Sequence, residues 1–183
     1  MRATATLAND GASSQSKKMA DAPDISSGLA RNDSDIRCGI ELIYFGYSHM
    51  TRSIDADLAQ QGLGRAHHRA LYFIARQPDI SVGELLALLA ITKQALGRVL
   101  ADLARRELVE SNPGTRDKRQ KLLRLTASGA ELERKQFEAL RTKMGTAYDK
   151  AGDEAVRGFW QVLEGLIPPQ DHGMVMALRN QKD

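Results

Sequence analysis

The sequence predicts a mainly helical fold with one small β-wing, and three observations lead to this prediction. Apolar residues recur at helical spacing along most of the 183 residues. Two short helices with their own capping signals follow one another between residues 81 and 105. After these helices in the sequence, two apolar runs flank the turn-forming residues Asn112, Pro113 and Gly114. This order predicts a winged helix-turn-helix with additional helices at both ends of the chain.

The first short helix begins with a capping box. The Ser81 hydroxyl can accept from an unpaired amide of the first turn, and the Glu84 carboxylate can reach back to the cap amide. One face of this helix is apolar, with Val82, Leu85, Leu86 and Leu89. Ala90 and Ile91 interrupt the pattern, which predicts a tight turn before the next helix.

The second short helix begins after Thr92, a favourable N-cap residue. Its apolar face consists of Leu96, Val99, Leu100 and Leu103. The opposite face is small, polar and basic, as a helix in the DNA major groove requires. The predicted base-reading and groove-facing residues are Lys93, Gln94, Gly97 and Arg98. An ordinary solvated helix face is the alternative interpretation of this one helix.

A basic hairpin follows the second helix. Residues 108–111 alternate apolar and polar side chains, residues 112–115 favour a turn, and residues 122–125 return as a strand. The loop carries Arg116, Asp117, Lys118, Arg119 and Lys121. Residues 81–126 contain nine Lys and Arg against five Asp and Glu, a net charge of +4, whereas the whole chain has +3. Positive charge is thus concentrated in the predicted winged unit, which favours a nucleic-acid partner.

Three segments of this unit resemble the MarR family of bacterial transcriptional regulators. They are the run from Leu100 to Val109, the wing sequence Asp117-Lys118-Arg119, and Leu125-Thr126 followed by Gly129. The resemblance extends in order over about residues 35–166. Family members usually have Gly where this chain has Glu107, just before the first wing strand. Since Gly often ends a helix in a left-handed conformation, Glu107 predicts either a different ending or a strain of about 1 kcal/mol.

The resemblance implies a homodimeric regulator, a repressor in our interpretation, that reads double-stranded DNA. It implies that Arg119 enters the minor groove and that Asp117 orients it, with Arg116 and Lys118 on the phosphate backbone. A narrow minor groove has an enhanced negative potential, which favours arginine. Ser81 and Thr92 stand at helix starts, where backbone amides can receive a phosphate.

The sequence predicts that the whole chain divides into five regions. Residues 1–33 hold four Lys and Arg against four Asp and little apolar content, which predicts a disordered arm; Met19 is an alternative start of translation. Residues 34–62 and 127–168 are predicted dimerisation helices, because their apolar stripes need a partner surface. Residues 63–126 form the predicted winged domain, and residues 169–183 a flexible tail. A monomer that folds its terminal helices over the wing domain is the alternative.

A regulatory ligand is also predicted. In the family, an effector commonly lies between the dimer helices and the winged unit. The matching aromatic and amphipathic residues are Tyr44, Tyr47, His49, Met50, His67, His68 and Tyr72. Such a lining suits a small aromatic or anionic effector, with Arg65, Arg69 or Arg76 as the counter-charge. These side chains could instead be core aromatics and capping residues of the second helix of the chain.

Other functional classes are less well supported by the sequence. Cys38 is the only cysteine, without a resolving partner, so we expect that it is not the main sensor and that the location is reducing and cytoplasmic; peroxide sensing by Cys38 is the alternative. His67 and His68 are adjacent and diverge on a helix, which argues against a metal site. No cofactor motif, catalytic motif or membrane-length apolar run is present, so we expect no cofactor, no enzyme activity and no membrane partner. A winged unit that docks a protein instead of DNA is the alternative function.

Overall fold

The computed structural model describes residues 32–114 and 118–180. Contacts divide the chain into two compact units, residues 1–42 and 43–183. Nearly all of the predicted disordered arm, residues 1–33, lies outside the described residues, as do Arg116 and Asp117 of the wing. In the described part the prediction of a mainly helical chain with a small β-wing is confirmed.

The predicted helices and wing strands follow one another in the expected order, and the structure adds two elements that were not predicted, the short strand Ile80–Ser81 and the helix Pro169–Arg179. The bounds of all elements are α1 Asp33–Gln60, α2 Arg65–Arg76, β1 Ile80–Ser81, α3 Val82–Leu89, α4 Lys93–Arg105, β2 Val109–Pro113, β3 Lys121–Leu125, α5 Ala127–Ala151, α6 Asp153–Gly165 and α7 Pro169–Arg179. The sequence predicts a helix over about residues 65–76, between Gly62 and Pro78, and α2 has these bounds. The sequence also predicts helix breaks at Gly62 and Gly152; both breaks are present, and both residues have a positive φ.

In the first unit, the described residues form the beginning of α1. The Asn32 side chain accepts the Asp35 N–H at 3.0 Å, which satisfies one of the free amides of the first turn. The apolar side chains of Ile36, Ile40 and Leu42 are 53–67% exposed. Ile36 and Ile40 belong to the apolar stripe predicted for this helix, and the described residues leave more than half of each side chain exposed.

In the second unit, the core lies among helices α1 to α5 and the sheet. Helix α1 contributes Ile54 and Leu58, which are each 1% exposed. The other elements bury Leu71, Ile74, Ile80, Leu85, Leu96, Val99, Leu103, Val109, Leu123 and Leu132. Helices α3 and α4 both press their apolar faces into this core, which fixes which of their sides faces outward.

Local capping sets the helix-turn-helix. The Ser81 hydroxyl accepts the Glu84 N–H at 3.2 Å, and the Glu84 carboxylate accepts the Ser81 N–H at 2.8 Å, so the predicted capping box is confirmed. Ala90 ends α3 in a left-handed conformation with φ +49°. The Thr92 hydroxyl then accepts the Ala95 N–H at 3.1 Å and begins α4. The tight turn predicted at Ala90 is therefore present.

The sheet has three antiparallel strands in the order β1-β3-β2. In the hairpin, Val109 pairs with Leu125 and Pro113 pairs with Lys121. The third strand is β1, in which Ser81 pairs with Leu122 of β3. Ser81 thus belongs to the sheet and also caps α3, which joins the wing directly to the first helix of the helix-turn-helix.

A close junction joins the end of α4 to the beginning of α5. Glu107 has φ +57°, so the strained alternative predicted for this position is the one observed. The Thr126 hydroxyl donates to the Glu107 carbonyl at 2.6 Å and accepts the Gly129 N–H at 3.0 Å. The Thr126 N–H donates to the Leu108 carbonyl at 3.1 Å. A Cβ atom at Gly129 would lie 1.9 Å from that carbonyl oxygen.

The end of the chain differs from the prediction. The segment 169–183 was predicted as a flexible tail because the pair Pro168-Pro169 ends helices, but residues Pro169–Arg179 form α7. Pro169 occupies the first turn of this helix, where a missing N–H costs nothing. The Leu178 carbonyl accepts from the Arg76 guanidinium at 2.8 Å, which joins α7 to α2.

Candidate nucleic-acid interface

The outer face of α4 carries the side chains that were predicted to read bases. Lys93, Gln94, Gly97 and Arg98 are all exposed. The side chains of Lys93, Gln94 and Arg98 form no hydrogen bond or ion pair with any other residue in the ranges 32–114 and 118–180. A Cβ at Gly97 would meet nothing within 4 Å, so this position also faces outward. Helix α4 therefore exposes three polar side chains that have no partner among the described residues, and Gly97 between them adds no side chain that would hold a ligand away.

Two of the predicted phosphate-contacting residues, Ser81 and Thr92, have a structural role as well. The hydroxyls of Ser81 and Thr92 accept amide protons as the caps of α3 and α4. Each hydroxyl keeps its own proton for donation to another acceptor. Both caps also hold the remaining first-turn amides at helix N-termini, where a phosphate oxygen is stabilised.

The wing presents its basic residues beside its tip. Lys118 and Arg119 are exposed in the turn that leads into β3. The Gly114 N–H donates to the Gln120 carbonyl at 2.9 Å and closes the hairpin on the described side of the tip. Arg116 and Asp117 lie outside the described residues, so the predicted pairing of Asp117 with Arg119 stays a prediction.

Arg124 of the second wing strand has an ion partner. The Arg124 guanidinium forms a two-pronged ion pair with the Asp79 carboxylate, just before β1. The hydrogen bond from Arg124 lowers the pKa of Asp79 below its ordinary value, although burial acts in the opposite direction. Asp79 has φ +66°. Sequence reasoning counted Arg124 only as charge, because nothing local indicated a partner 45 residues away.

The residues predicted to line an effector site do not form one cluster. Tyr44 and Tyr47 are 66% and 51% exposed on α1. Tyr72 lies beside His68 and Phe137, with ring centroids 6.4 Å apart in both pairs. Nδ1 of His67 accepts the Gly64 N–H at 3.1 Å, so this histidine caps α2, as the alternative interpretation proposed.

The predicted counter-charges also have assigned positions. Arg65 forms an ion pair with Asp55 at 2.7 Å, and Arg76 donates to the Leu178 carbonyl. Arg69 is different, because its buried Nε has no hydrogen-bond partner in the described part of the chain. A buried polar pair that the sequence did not reveal lies nearby in the α2–α5 contact. Nδ1 of His68 donates to Oε1 of Gln136 at 2.8 Å.

Acidification is expected to destabilise the fold through His68. Burial lowers the pKa of the His68 imidazole below its ordinary value of 6.5; the hydrogen bond with Gln136 opposes this shift, and the charge of Arg69 adds to it. The unfolded chain then binds more protons, so this contribution to stability is complete above pH 6.5 and is lost as the pH falls below it. Urea unfolding from about pH 7.5 to about pH 5.5 measures the effect around the histidine range.

The variant His68→Gln should weaken this pH dependence, and His49→Gln, at an exposed position, controls for the loss of an imidazole. A His68→Gln protein that keeps the full pH dependence of the parent would contradict the assignment to His68.

No helix among residues 32–114 and 118–180 combines the length and the apolar character that a membrane crossing requires.

Comparisons with known proteins agree with this architecture. A model of the MarR family matches residues 61–120. The chain is 48% identical over 141 residues to the HTH-type transcriptional regulator PetP of Rhodobacter capsulatus, which covers 77% of this chain and 85% of that protein.

Two complexes with DNA, from different organisms, are among the solved structures that are similar in fold. One is a mutant MarR of Escherichia coli complexed with operator DNA, with a TM-score of 0.59, 23% identity, and coverage of 74% of this chain and 97% of that chain. The other is Streptococcus pneumoniae FabT in complex with DNA, with a TM-score of 0.63, 17% identity, and coverage of 72% and 94%. The structures show a shared winged-helix fold, and the identity with PetP shows the relationship: this chain belongs to the MarR family.

Proposed function

We propose that the protein is a sequence-specific DNA-binding transcriptional regulator. The observation that carries this proposal is the outer face of α4, where Lys93, Gln94 and Arg98 are exposed and unoccupied while the opposite face is locked in the core. Side chains of this kind can form hydrogen bonds with base edges in the major groove. The related PetP is named as a transcriptional regulator, and the similar MarR and FabT structures are complexes with DNA.

The wing supplies a second contact in this proposal. Lys118 and Arg119 are exposed at the hairpin, next to Arg116 and Asp117 in the sequence. Arg119 would enter the minor groove, held by Asp117, while Arg116 and Lys118 contact phosphates. Two contacts on one rigid unit would read both grooves of the same half-site.

A homodimer is the second part of the proposal. In the second unit, large apolar side chains are exposed on α1, α5, α6 and α7 and at the C-cap of α6; they are Ile43, Tyr44, Phe45, Tyr47, Phe137, Phe159, Trp160, Val162, Leu166 and Met176. An area of this kind on a monomer is unusual and marks an interface. A symmetric dimer would present two α4 helices about one turn of DNA apart, roughly 34 Å, and would read a pseudo-palindrome.

Regulation by a small effector is the third part. Gln136 is 1% exposed, yet its Nε2 has no hydrogen-bond partner in the described part of the chain, and the Nε of Arg69 is in the same situation. Buried donors without partners are costly, and a ligand acceptor would satisfy them. Gln136 contacts His68, and His68 lies beside Tyr72, so this group would suit a small aromatic or anionic molecule, with Arg69 as a counter-charge. Tyr44, Tyr47 and His67 are the remaining predicted contacts.

The direct test selects duplexes from a randomised pool with the purified protein. A regulator of this type should enrich a sequence with two related half-sites, and its affinity should fall steeply as salt rises, because bound counterions are released from DNA. The alternative is a winged unit that docks a protein through an apolar surface. In that case no sequence is enriched and the binding of DNA is absent at moderate salt.

The helix and the wing are expected to contribute separable energies. Arg98→Ala should lose about 1–3 kcal/mol and relax the preference at one position of the selected duplex. Arg119→Ala should weaken binding to selected and mixed-sequence duplexes alike and reduce the salt dependence by about one phosphate equivalent. A salt titration of each variant on both duplexes measures these effects.

Arg134→Ala is the matched control, because Arg134 is an exposed arginine on α5 that pairs with Glu131. It should bind like the parent. If Arg98→Ala and Arg119→Ala also bind like the parent, then the winged unit does not read DNA, and the docking function becomes the better explanation.

A further inference from the structure

The end of α4 and the connection between α1 and α2 are joined by an arginine. Helix α1 has no basic residue in its last turn. Arg106, which follows α4, donates to the Gln61 carbonyl at 2.6 Å and to the Gly62 carbonyl at 3.3 Å. Carbonyls at the end of a helix lack intrahelical partners and carry partial negative charge. A guanidinium from a distant part of the chain therefore binds two carbonyls of the α1–α2 connection, just after the end of α1.

Asp102 holds the same guanidinium from the other side. It lies one turn before the end of α4, and its carboxylate contacts Nε of Arg106 at 3.3 Å and also the Arg105 side chain. The third neighbour is Nε2 of His67, at 3.1 Å. Since Nδ1 of His67 accepts the Gly64 N–H, the proton of a neutral imidazole is on Nε2 and points to Asp102.

The charge of this group is maintained although the carboxylate is only 17% exposed. Burial alone would raise the pKa of Asp102, but hydrogen bonding and charge from Arg106, together with Arg105 and His67, lower it below its ordinary value. The connection is also shaped for the arginine. Gly62 has φ +63°, and a Cβ there would lie 3.2 Å from Nη2 of Arg106.

We propose that Arg106 and Asp102 are positioning residues that fix the end of α4 on the α1–α2 connection, and so set the angle at which α4 meets DNA. The contact with the connection is a structural claim about this chain, and only its effect on DNA rests on the proposed function. Neither residue needs to touch DNA. A movement of α1 would be transmitted to α4 through the hydrogen bonds of Arg106 with the two carbonyls of the connection and through its ion pair with Asp102.

Amide hydrogen exchange of the full chain tests the contact itself. Arg106→Gln removes the guanidinium, so exchange at residues 61–68 should accelerate several-fold because local opening becomes easier. Arg105→Gln is the matched control, since Arg105 pairs with Asp102 but has no hydrogen bond to the Gln61 or Gly62 carbonyl. It should leave exchange at residues 61–68 unchanged. Unchanged exchange in Arg106→Gln, or equal acceleration in Arg105→Gln, would overturn the proposal.

Binding to a selected duplex tests the positioning. Arg106→Gln should bind about tenfold more weakly, which is about 1.4 kcal/mol, with the salt dependence of the parent, because no phosphate contact is lost. Arg106→Lys should be similarly impaired, since a single ammonium cannot bridge two carbonyls and a carboxylate. Circular dichroism confirms that each variant is folded at the assay temperature.

The outcomes are distinct. Full affinity in Arg106→Gln, full recovery in Arg106→Lys, or a salt dependence reduced by one equivalent would overturn the positioning role. If the parent enriches no duplex at all, the proposed function fails, and the exchange measurement alone then decides whether Arg106 fixes the connection.

Discussion

Gly129→Ala is expected to prevent stable folding. The added Cβ would lie 1.9 Å from the Leu108 carbonyl oxygen and 2.9 Å from its carbon, and both atoms belong to the backbone. That carbonyl also accepts the Thr126 N–H, so it cannot rotate away without loss of a hydrogen bond. Relief requires separation of α5 from the first strand of the wing. We expect a loss above about 4 kcal/mol, in the range of the most damaging single substitutions.

Urea unfolding followed by circular dichroism measures this loss. Gly145→Ala is the matched control, because Gly145 lies in the same helix and a Cβ there meets nothing within 4 Å. It should stabilise the protein by up to about 1 kcal/mol through helix propensity. A Gly129→Ala protein that unfolds at the urea midpoint of the parent would show that α5 does not approach Leu108 in this way.

The double variant Phe159→Ala, Trp160→Ala is expected to dissociate the proposed homodimer. Within one chain these side chains are 40% and 43% exposed, although Nε1 of Trp160 donates to the Tyr148 hydroxyl at 3.0 Å. If a second copy buries them, each truncation should remove roughly 3 kcal/mol or more in each subunit. Sedimentation at several protein concentrations should show a dimer for the parent and a monomer for the variant.

Arg157→Ala, at an exposed position of the same helix, controls for changes in α6 that are unrelated to the interface. It should sediment like the parent. A monomeric parent would contradict the homodimer, and an unchanged dimer in the double variant would show that α6 does not form the interface. Loss of helical signal would instead assign the effect to folding within one chain.

Features that depend on neighbouring residues could be predicted from the sequence. The Ser81 and Thr92 caps and the bounds of α2 are such features, because a cap bonds amides only a few residues away. Glu107 belongs to the same class. Its departure from the usual glycine predicted strain as one of two alternatives, and the positive φ is that alternative.

Features that depend on distant partners could not be predicted. The periodic stripe of α1 indicates a face but not its cover, so Ile54 is buried whereas Tyr47 on the same stripe is exposed. Gln136 has a polar side chain with no local sign of burial, yet it lies almost fully buried against His68. The two residues of β1 are too few to show alternation, and their pairing with β3 spans about forty positions.

The candidate site divides in the same way. The outward direction of Lys93, Gln94, Gly97 and Arg98 follows from the apolar face of α4, so sequence periodicity was sufficient. Arg124 and Arg106 resemble other basic residues of the unit, and only the fold shows that Asp79 and the Gln61 carbonyl occupy them. The number of Lys and Arg residues in the winged unit is therefore larger than the number of basic side chains that are available to bind DNA.

Ser81 is both a residue of strand β1 and the N-cap of α3, and this limits how an effector could control the protein. Because one residue is paired in the sheet and also begins α3, there is no linker between them that could act as a hinge. The helix-turn-helix and the base of the wing are then expected to move together as one rigid body. In a homodimer, an effector could then change only the distance between the two winged units and their relative orientation. Effector-bound and free protein would consequently recognise the same half-site sequence and differ in the spacer length that they tolerate.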